Sequence, residues 1–586
     1  MLKNLVKHLL RAPAMAARAR RERRVLPALE TAEARFGEGD YSAVVAVCRE
    51  ALIHEPRSAQ ANHLCGRALV ELDMSGEAKP YLRAAVNADP GLAQAHVDLA
   101  AVLFRTGDYA DAEECCRRAL AIHAADVGCR LLLAEILKAV NRGKEAVAEL
   151  TVAQEYAPER LDLLVKLVEE LDRHGLYAEA LRIAERAIAE VGDKFETLLC
   201  LAVARKATED MHGAVEACRK ALALGGDQAR VLVILGAALL VLGKTDESMA
   251  AYRRALKLVP GYADAQFHLG LLNLTRGKYR EGWPDFEQRL RTEQFRRYPA
   301  CTPRWNGTSL HGRTLLIRRE QGLGDEIMYA SCFPQVIDSA RHCYIECEPR
   351  LDRLFTRSFP RATFFTSSGM ERVVPPFIPE ADIDVKSFAA SLPRYLRNSL
   401  RDFPAHAGYL KAAPERVDWW RSRLATLGSG LKVGISWRGG TDRTGKGRRS
   451  IALEALHPLL SVTGVHWVCL QYGERAAEIA RYTTAQGIVI TDWPEAIDGD
   501  YDETAALVCG LDLVISVCSS IVHLTGALGR NVWVMTPFVP EWRYGLSGET
   551  MPWYPAARLI RQTEYGNWDA VIQAVTVALQ QKVDGH

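Results

Sequence analysis

Small residues recur through the first half of the chain with a period of 34 positions. One slot runs Val44, Ala78, Ala112, Ala146, Ala180, Ala214, Ser248, Gly282 without a slip, and seven residues later a second runs Ala51, Ala85, Ala119, Ala153, Ala187, Ala221, Ala255. Gly39-Asp40-Tyr41, Gly107-Asp108-Tyr109 and Gly277-Lys278-Tyr279 stand just before the first slot, and Pro56, Pro90, Pro158 and Pro260 follow it by twelve. The pattern predicts a repeated helix–turn–helix. Small slots mark where two antiparallel helices cross closely, the glycine supplies a tight turn at positive φ, and the proline ends the second helix because it cannot continue the hydrogen-bond ladder. One such unit cannot bury its apolar face, but a stack can. About eight units fill residues 25–292, with a stacked core expected to fold alone.

The period and its punctuation resemble the tetratricopeptide repeat, TPR. The resemblance implies a superhelix with a concave groove. It serves either as a structural spacer or as a binding surface for a peptide or protein, and solenoids supply the second.

From Arg313 onward the periodicity changes. Short apolar runs alternate with helical stretches, which predicts parallel strands with crossover helices. The runs are 314–318, 342–346 and 363–366, then, after a proline-containing stretch between about 370 and 430, 432–436, 466–470, 488–490, 513–517 and 532–535. They predict two doubly wound units in tandem: a first lobe with linker over 293–430 and a second over 431–586. The fold class is therefore α plus α/β. Ligands in such folds bind beyond the carboxyl ends of the strands, so the cleft between the lobes is the expected site.

Composition narrows the function. The chain has 586 residues with 74 basic and 72 acidic side chains, so no global charge points to nucleic acid. No run of 18 apolar residues predicts a membrane span. The leader 1–24 is basic (Lys3, Lys7, Arg11, Arg18, Arg20, Arg21, Arg23, Arg24), with its apolar stretch broken by Lys7 and His8. It reads either as a solvated, partly helical arm or as an amphipathic one making peripheral contact with an anionic membrane surface. The 14 cysteines follow helix and strand patterns without metal-ligand spacing, which predicts reduced thiols in a cytoplasmic protein and no metal site.

Two strand-to-helix loops carry candidate chemistry. In Glu320-Gln-Gly-Leu-Gly-Asp325, Gly322 and Gly324 allow a sharp turn and close approach to a ligand, and Asp325 begins a helix, as a cap or as a reactive carboxylate. In Ser516-Val-Cys-Ser519-Ser520-Ile-Val-His523, small hydroxyl residues at a helix start suit a phosphate or, alternatively, ordinary capping.

Together with Leu310-His-Gly-Arg-Thr-Leu-Leu-Ile317, Ile435-Ser-Trp-Arg438, Arg448-Arg-Ser-Ile451, Asp502-Glu-Thr-Ala-Ala-Leu507, His523-Leu-Thr-Gly-Ala-Leu-Gly529 and Pro552-Trp-Tyr-Pro555, these loops resemble TPR-linked bacterial glycosyltransferases related to the heptosyltransferases. The resemblance covers about 300–565. It implies a GT-B fold of two Rossmann-like lobes, a nucleotide-sugar donor held mainly by the second, and no metal or other cofactor. It implies Asp325 as the general base, a role typically worth about 10²–10⁴-fold. It further implies that Gly322, Gly324, Arg438, Lys446, Arg448, Arg449, Ser519, Ser520 and His523 face the donor and its phosphates, and that Glu474 faces the ribose hydroxyls. One departure is Cys518-Ser519, where the family commonly has Asp-Thr. A missing carboxylate there points to a different donor or to reduced activity.

The combined expectation is a protein glycosyltransferase. The array recruits a polypeptide, and the second half transfers a sugar to a Ser or Thr hydroxyl, flagellin being the first candidate by analogy with flagellin glycosyltransferases. The alternatives are transfer to a lipopolysaccharide or other glycan, and a non-catalytic interaction scaffold with a degenerate GT-B half.

Overall fold

A computed structural model describes residues 25–225, 229–292, 303–367, 377–378, 382–441 and 444–585. The basic leader 1–24 and residues 293–302, at the start of the predicted first lobe, lie outside the described residues. The chain divides into two compact units with the boundary between Ala204 and Arg205.

The first half of the chain holds sixteen consecutive helices in helix–turn–helix pairs, from the helix at 25–37 to Tyr279–Phe286, and the unit boundary falls within Phe195–Ala207. The small slots fall on the second helix of each pair. Val44, Ala78, Ala112, Ala146, Ala180, Ala214 and Ser248 have no exposed surface, and the second slot is buried from Ala51 to Ala255. A Cβ on Gly282 would meet Leu274 of the paired helix at 2.7 Å, which is why that slot stays small. The turn between paired helices bends at one position in every repeat. Gly39, Asp73, Gly107, Asn141, Gly175, Glu209, Gly243 and Gly277 all have φ between 59° and 83°. Five of the eight are glycine. Asp and Asn tolerate this region, but Glu209 enters it against side-chain sterics. The prolines each stand two residues past a second helix, beyond His54, Ala88, Tyr156 and Leu258.

Two sheets follow. The first contains β1 (Thr314–Arg318), β2 (His342–Cys347), β3 (Thr363–Thr366) and β4 (Val385–Phe388) in the order β3-β2-β1-β4, all parallel. The second contains β5 (Leu431–Ser436), β6 (Val465–Cys469), β7 (Ile490–Thr491), β8 (Leu513–Val517), β9 (Val532–Thr536), β10 (Thr550–Met551) and β11 (Tyr554–Arg561). Its order is β10-β11-β9-β8-β5-β6-β7, and only β10 runs antiparallel. The sequence pattern did not predict β4, β10 or β11. Both central strands, β1 and β8, are buried along their whole length, as parallel strands covered on both faces are.

The last repeat shares its core with the first sheet. Leu274, Tyr279, Trp283 and Phe286 belong to the same apolar cluster as Leu315, Ile317 and Ile327. Trp283 Nε1 donates to the Arg397 carbonyl at 2.6 Å. Arg289, fully buried, forks onto both oxygens of Glu320 at 2.9 and 2.7 Å, and Glu320 also accepts from the Ala390 amide at 3.0 Å. This buried pair braces the loop that carries Gly322 and Asp325.

Candidate functional site

The loops after β1, β5, β8 and β9 leave from the carboxyl ends of their strands, where ligands of open parallel sheets bind. The β1 loop turns at Gln321, which has φ +64°, and not at either glycine. Gly322 is the extended N-cap of the helix Leu323–Tyr329, and its amide donates to Asp325 Oδ2 at 3.3 Å. Gly324 has a packing role: a Cβ there would lie 2.8 Å from His523 Cδ2 and 3.3 Å from Ser520 Cα. Its absence lets the helix Leu323–Tyr329 rest directly on the helix Ser520–Ala527, and the two sheets meet at this point.

That contact brings Asp325 beside residues of the second sheet. Asp325 Oδ1 is ion-paired with Arg543 Nη2, from the loop after β9. Arg449, from the loop after β5, is ion-paired with Glu541 and donates through Nη2 to the Cys518 carbonyl at 3.0 Å. Two arginines and two carboxylates thus gather where β8 gives way to its helix. Burial alone would lower the Arg543 pKa, but the Asp325 and Glu541 carboxylates more than offset it, and the guanidinium is held charged.

Ser519 is the extended N-cap of the helix Ser520–Ala527. Its hydroxyl bonds the Ser516 hydroxyl at 2.9 Å, while the Ser520 hydroxyl bonds the Tyr501 phenol at 2.6 Å. His523 is buried between two phenols, with Nδ1 3.1 Å from the Tyr554 hydroxyl and Nε2 3.4 Å from that of Tyr544. Burial, with Arg543 and Arg449 adding to it, pushes its pKa well below the usual imidazole value, so it is neutral. Cys518 is buried, and burial first, then Glu541, raises its thiol. A neutral thiol stands where the resemblance leads one to expect a carboxylate, and Glu541 supplies negative charge from another loop.

The remaining sequence candidates lie apart from this group. Arg438 is paired with Glu478 at 2.5 Å and also donates to the Glu474 carbonyl. The Glu474 side chain itself is exposed. Arg448 turns toward the repeats, with Nε 3.9 Å from Glu209 Oε1. Lys446 lies in the same loop, within a tight turn closed by its amide donating to the Thr441 carbonyl at 3.1 Å.

Sequence reasoning missed Arg543, Glu541, Tyr544, Tyr554 and Gln471. Gln471 Oε1 accepts from the Trp437 and Arg438 amides at 3.1 and 2.8 Å and fixes the start of the basic loop. Arg543 and Glu541 were findable, since they follow the carboxyl end of β9, a strand the pattern did predict.

A separate cavity of about 490 Å³ is lined by Pro334, Ile337, Asp338, Phe359, His406 and Tyr409, among others, and includes none of the sequence candidates. Among the described residues no group of three or more His, Cys, Asp or Glu is placed to hold a metal ion, the cysteines are free thiols, and no helix is long and apolar enough to cross a membrane.

The molecule is thus a helical-repeat solenoid joined to parallel sheets, and comparisons with known proteins place its repeats. Residues 64–127 and 103–171 match tetratricopeptide repeat families, and 236–277 match another TPR repeat family, so the solenoid is a TPR array. The chain is 32% identical over 317 residues to Protein FlbA of Caulobacter vibrioides, covering 52% of this chain and 53% of that protein. It therefore spans about half the length of the curated relative it matches. Among solved structures it is similar to MamA (15% identity, TM-score 0.27, 28% of this chain and 90% of that one). It is also similar to a tetratricopeptide repeat protein from Parabacteroides merdae (13% identity, TM-score 0.32, 42% and 98%).

Proposed function

We propose that this chain is a metal-independent GT-B glycosyltransferase. Its repeats recruit a protein acceptor, with flagellin the leading candidate, and its two parallel-sheet lobes move a sugar from a nucleotide-sugar to a Ser or Thr hydroxyl. The observation that carries the reading is the position of Asp325. A carboxylate just past the carboxyl end of β1 is paired with Arg543, and Arg449 is anchored at the helix start that follows β8. A base on one side and cationic groups for a departing phosphate on the other are what glycosyl transfer to a hydroxyl requires. The TPR array supports the acceptor role, because an extended groove binds polypeptide segments.

The test has two parts. Screening the purified protein against nucleoside mono- and diphosphates by thermal shift should find a ligand that stabilises it by about 2.7 kcal/mol at 100 times its Kd. Asp325→Asn should then lower kcat for donor turnover at least about 100-fold, near 2.7 kcal/mol. Wild-type turnover in that variant removes Asp325 as the base.

A second reading, a non-catalytic scaffold, draws on the Asp325–Arg543 pair, since a carboxylate so engaged is not free to accept a proton. Absence of nucleotide binding across the screen would favour it.

A further inference from the structure

The pairing of Asp325 with Arg543 is the observation that fits the transferase least well as it stands. It also carries the most information. We propose that Arg543 is a ligand of the donor's phosphate, and that Asp325 occupies its guanidinium only until the donor arrives. Donor binding then frees the base. This inference rests on the transferase reading.

Three features support it. The first is incomplete satisfaction. Arg543 Nε is buried without a hydrogen-bond partner, and so are Arg449 Nε and Glu541 Oε2. A guanidinium offers five N–H groups in a fork that fits phosphate, and a buried donor left unbonded is costly. A single carboxylate oxygen at Nη2 leaves this fork partly unused.

The second is charge balance. Arg543 and Arg449 are matched by Asp325 and Glu541. The four side chains are formally neutral together, so two half-buried cations can sit side by side. A phosphate or diphosphate brings at least as much negative charge as the carboxylate with more acceptor oxygens, and it can replace a carboxylate without leaving an uncompensated cation.

The third is location. Arg449 is anchored 3.0 Å from the Cys518 carbonyl, immediately before the N-cap of the eight-residue helix Ser520–Ala527. Both guanidinium groups act on the Cys518 thiol just before that helix, whose first amides favour an anion.

The sequence of events follows. The donor phosphate takes the Arg543 fork, and Asp325 is released toward the acceptor hydroxyl. The acceptor oxygen bonds the anomeric carbon as its proton passes to Asp325. The bond between that carbon and the phosphate oxygen breaks, its electron pair stays on the oxygen, and Arg543 and Arg449 neutralise the charge.

The experiment is calorimetry on the full chain with UDP, GDP, ADP, CMP and inorganic pyrophosphate. It compares wild type, Arg543→Gln, Asp325→Asn and the double variant. For the nucleotide that binds wild type, Arg543→Gln should weaken binding by about tenfold or more. Asp325→Asn should tighten it about threefold or more, because the competitor is gone. In the double variant that gain should vanish.

If Arg543→Gln alone does not fold, the comparison of Asp325→Asn with the double variant carries the test, since the double variant removes both charges together. Nucleotide binding that is the same with and without Arg543 overturns this inference and leaves the transferase reading standing. A gain from Asp325→Asn that persists without Arg543 also overturns it, because the effect is then one of general charge. No binding by wild type to any probe overturns the transferase reading and this inference with it.

Discussion

Glu326 stands next to the proposed base and shows how differently two adjacent carboxylates are treated. It is almost wholly buried. Oε2 accepts from the Glu348 amide at 2.9 Å, and Oε1 lies 3.2 Å from Arg319 Nε. Burial dominates over Arg319 and raises its pKa to about 7. The folded protein therefore holds this proton more tightly than the unfolded chain. The contribution is fully present below the unfolded value, 4.5, and is lost as pH rises through about 7. Glu326→Gln keeps an acceptor for the Glu348 amide and removes the titration. Relative to that variant, the wild type should lose about 3 kcal/mol of stability between pH 4.5 and pH 8, given the rise from 4.5 to about 7. Urea melts of both proteins across that range are the measurement, and parallel curves would reject the shift. Nothing in the letters Asp325-Glu326 distinguishes the two. Their difference comes from depth: Asp325 faces Arg543 from the other sheet, while Glu326 points into the first. Chain contacts that distant leave no local signal, and for that reason Asp325 was legible as a candidate while its pairing with Arg543 was not.

The two glycines of the β1 loop look alike in sequence and serve different ends in the folded element. Gly322 has an ordinary extended conformation, and a Cβ there would meet nothing closer than Asp325 Oδ2 at 3.5 Å. Gly324 lies where two helices touch. His523, its nearest neighbour, is pinned by Tyr544 and Tyr554 and cannot swing aside. Gly324→Ala should cost about 1–3 kcal/mol by overpacking, while Gly322→Ala should stay within about 0.5 kcal/mol of wild type. Thermal melts of both variants decide it, and equal stability would mean the helix contact is loose. The elements themselves were mostly legible. β1 and β8 fall on the predicted residues because buried parallel strands are short unbroken apolar runs, and β3, a partly exposed edge strand, falls on them through its Phe364-Phe365 pair. β4, Val-Lys-Ser-Phe, is too polar to stand out, and β11 opens Tyr-Pro and carries arginines at 558 and 561. Both pair beside strands already in place, so tertiary context and not pattern makes them strands.

At the scale of the whole molecule, the repeat pattern and the compact units disagree about where the chain divides. The 34-residue period continues to Gly282, yet Tyr279, Trp283, Phe286 and Arg289 are built into the core beside β1. A fragment starting near 293 would lose the partner of buried Glu320 and uncover the apolar face that Trp283 fills. Breaking a buried pair from one side typically costs about 3–5 kcal/mol. A fragment starting at Arg205 keeps both. The expected outcome is that 205–586 is folded and binds nucleotide, while 293–586 aggregates or melts far lower. Equal melting temperatures would show that the last repeats are dispensable to the sheets. The period could not reveal this, because small slots report helix crossings inside a repeat and say nothing of what a repeat's outer face touches.

A strict period also has a consequence for how such a chain can vary. From the first pair to the fifth, ending at Val191, each helix pair packs on the one before it and bends at an equivalent turn, so one pair is interchangeable with the next. Adding or removing a whole pair leaves every surviving interface in register, whereas a change of half a pair would set a first helix where a second belongs. The repeats that share the core with the sheets have no such freedom. The repeat surface can thus lengthen or shorten in quantised steps over evolution, like a ruler cut only at its marks, while the end built into the core of the first sheet is held fixed.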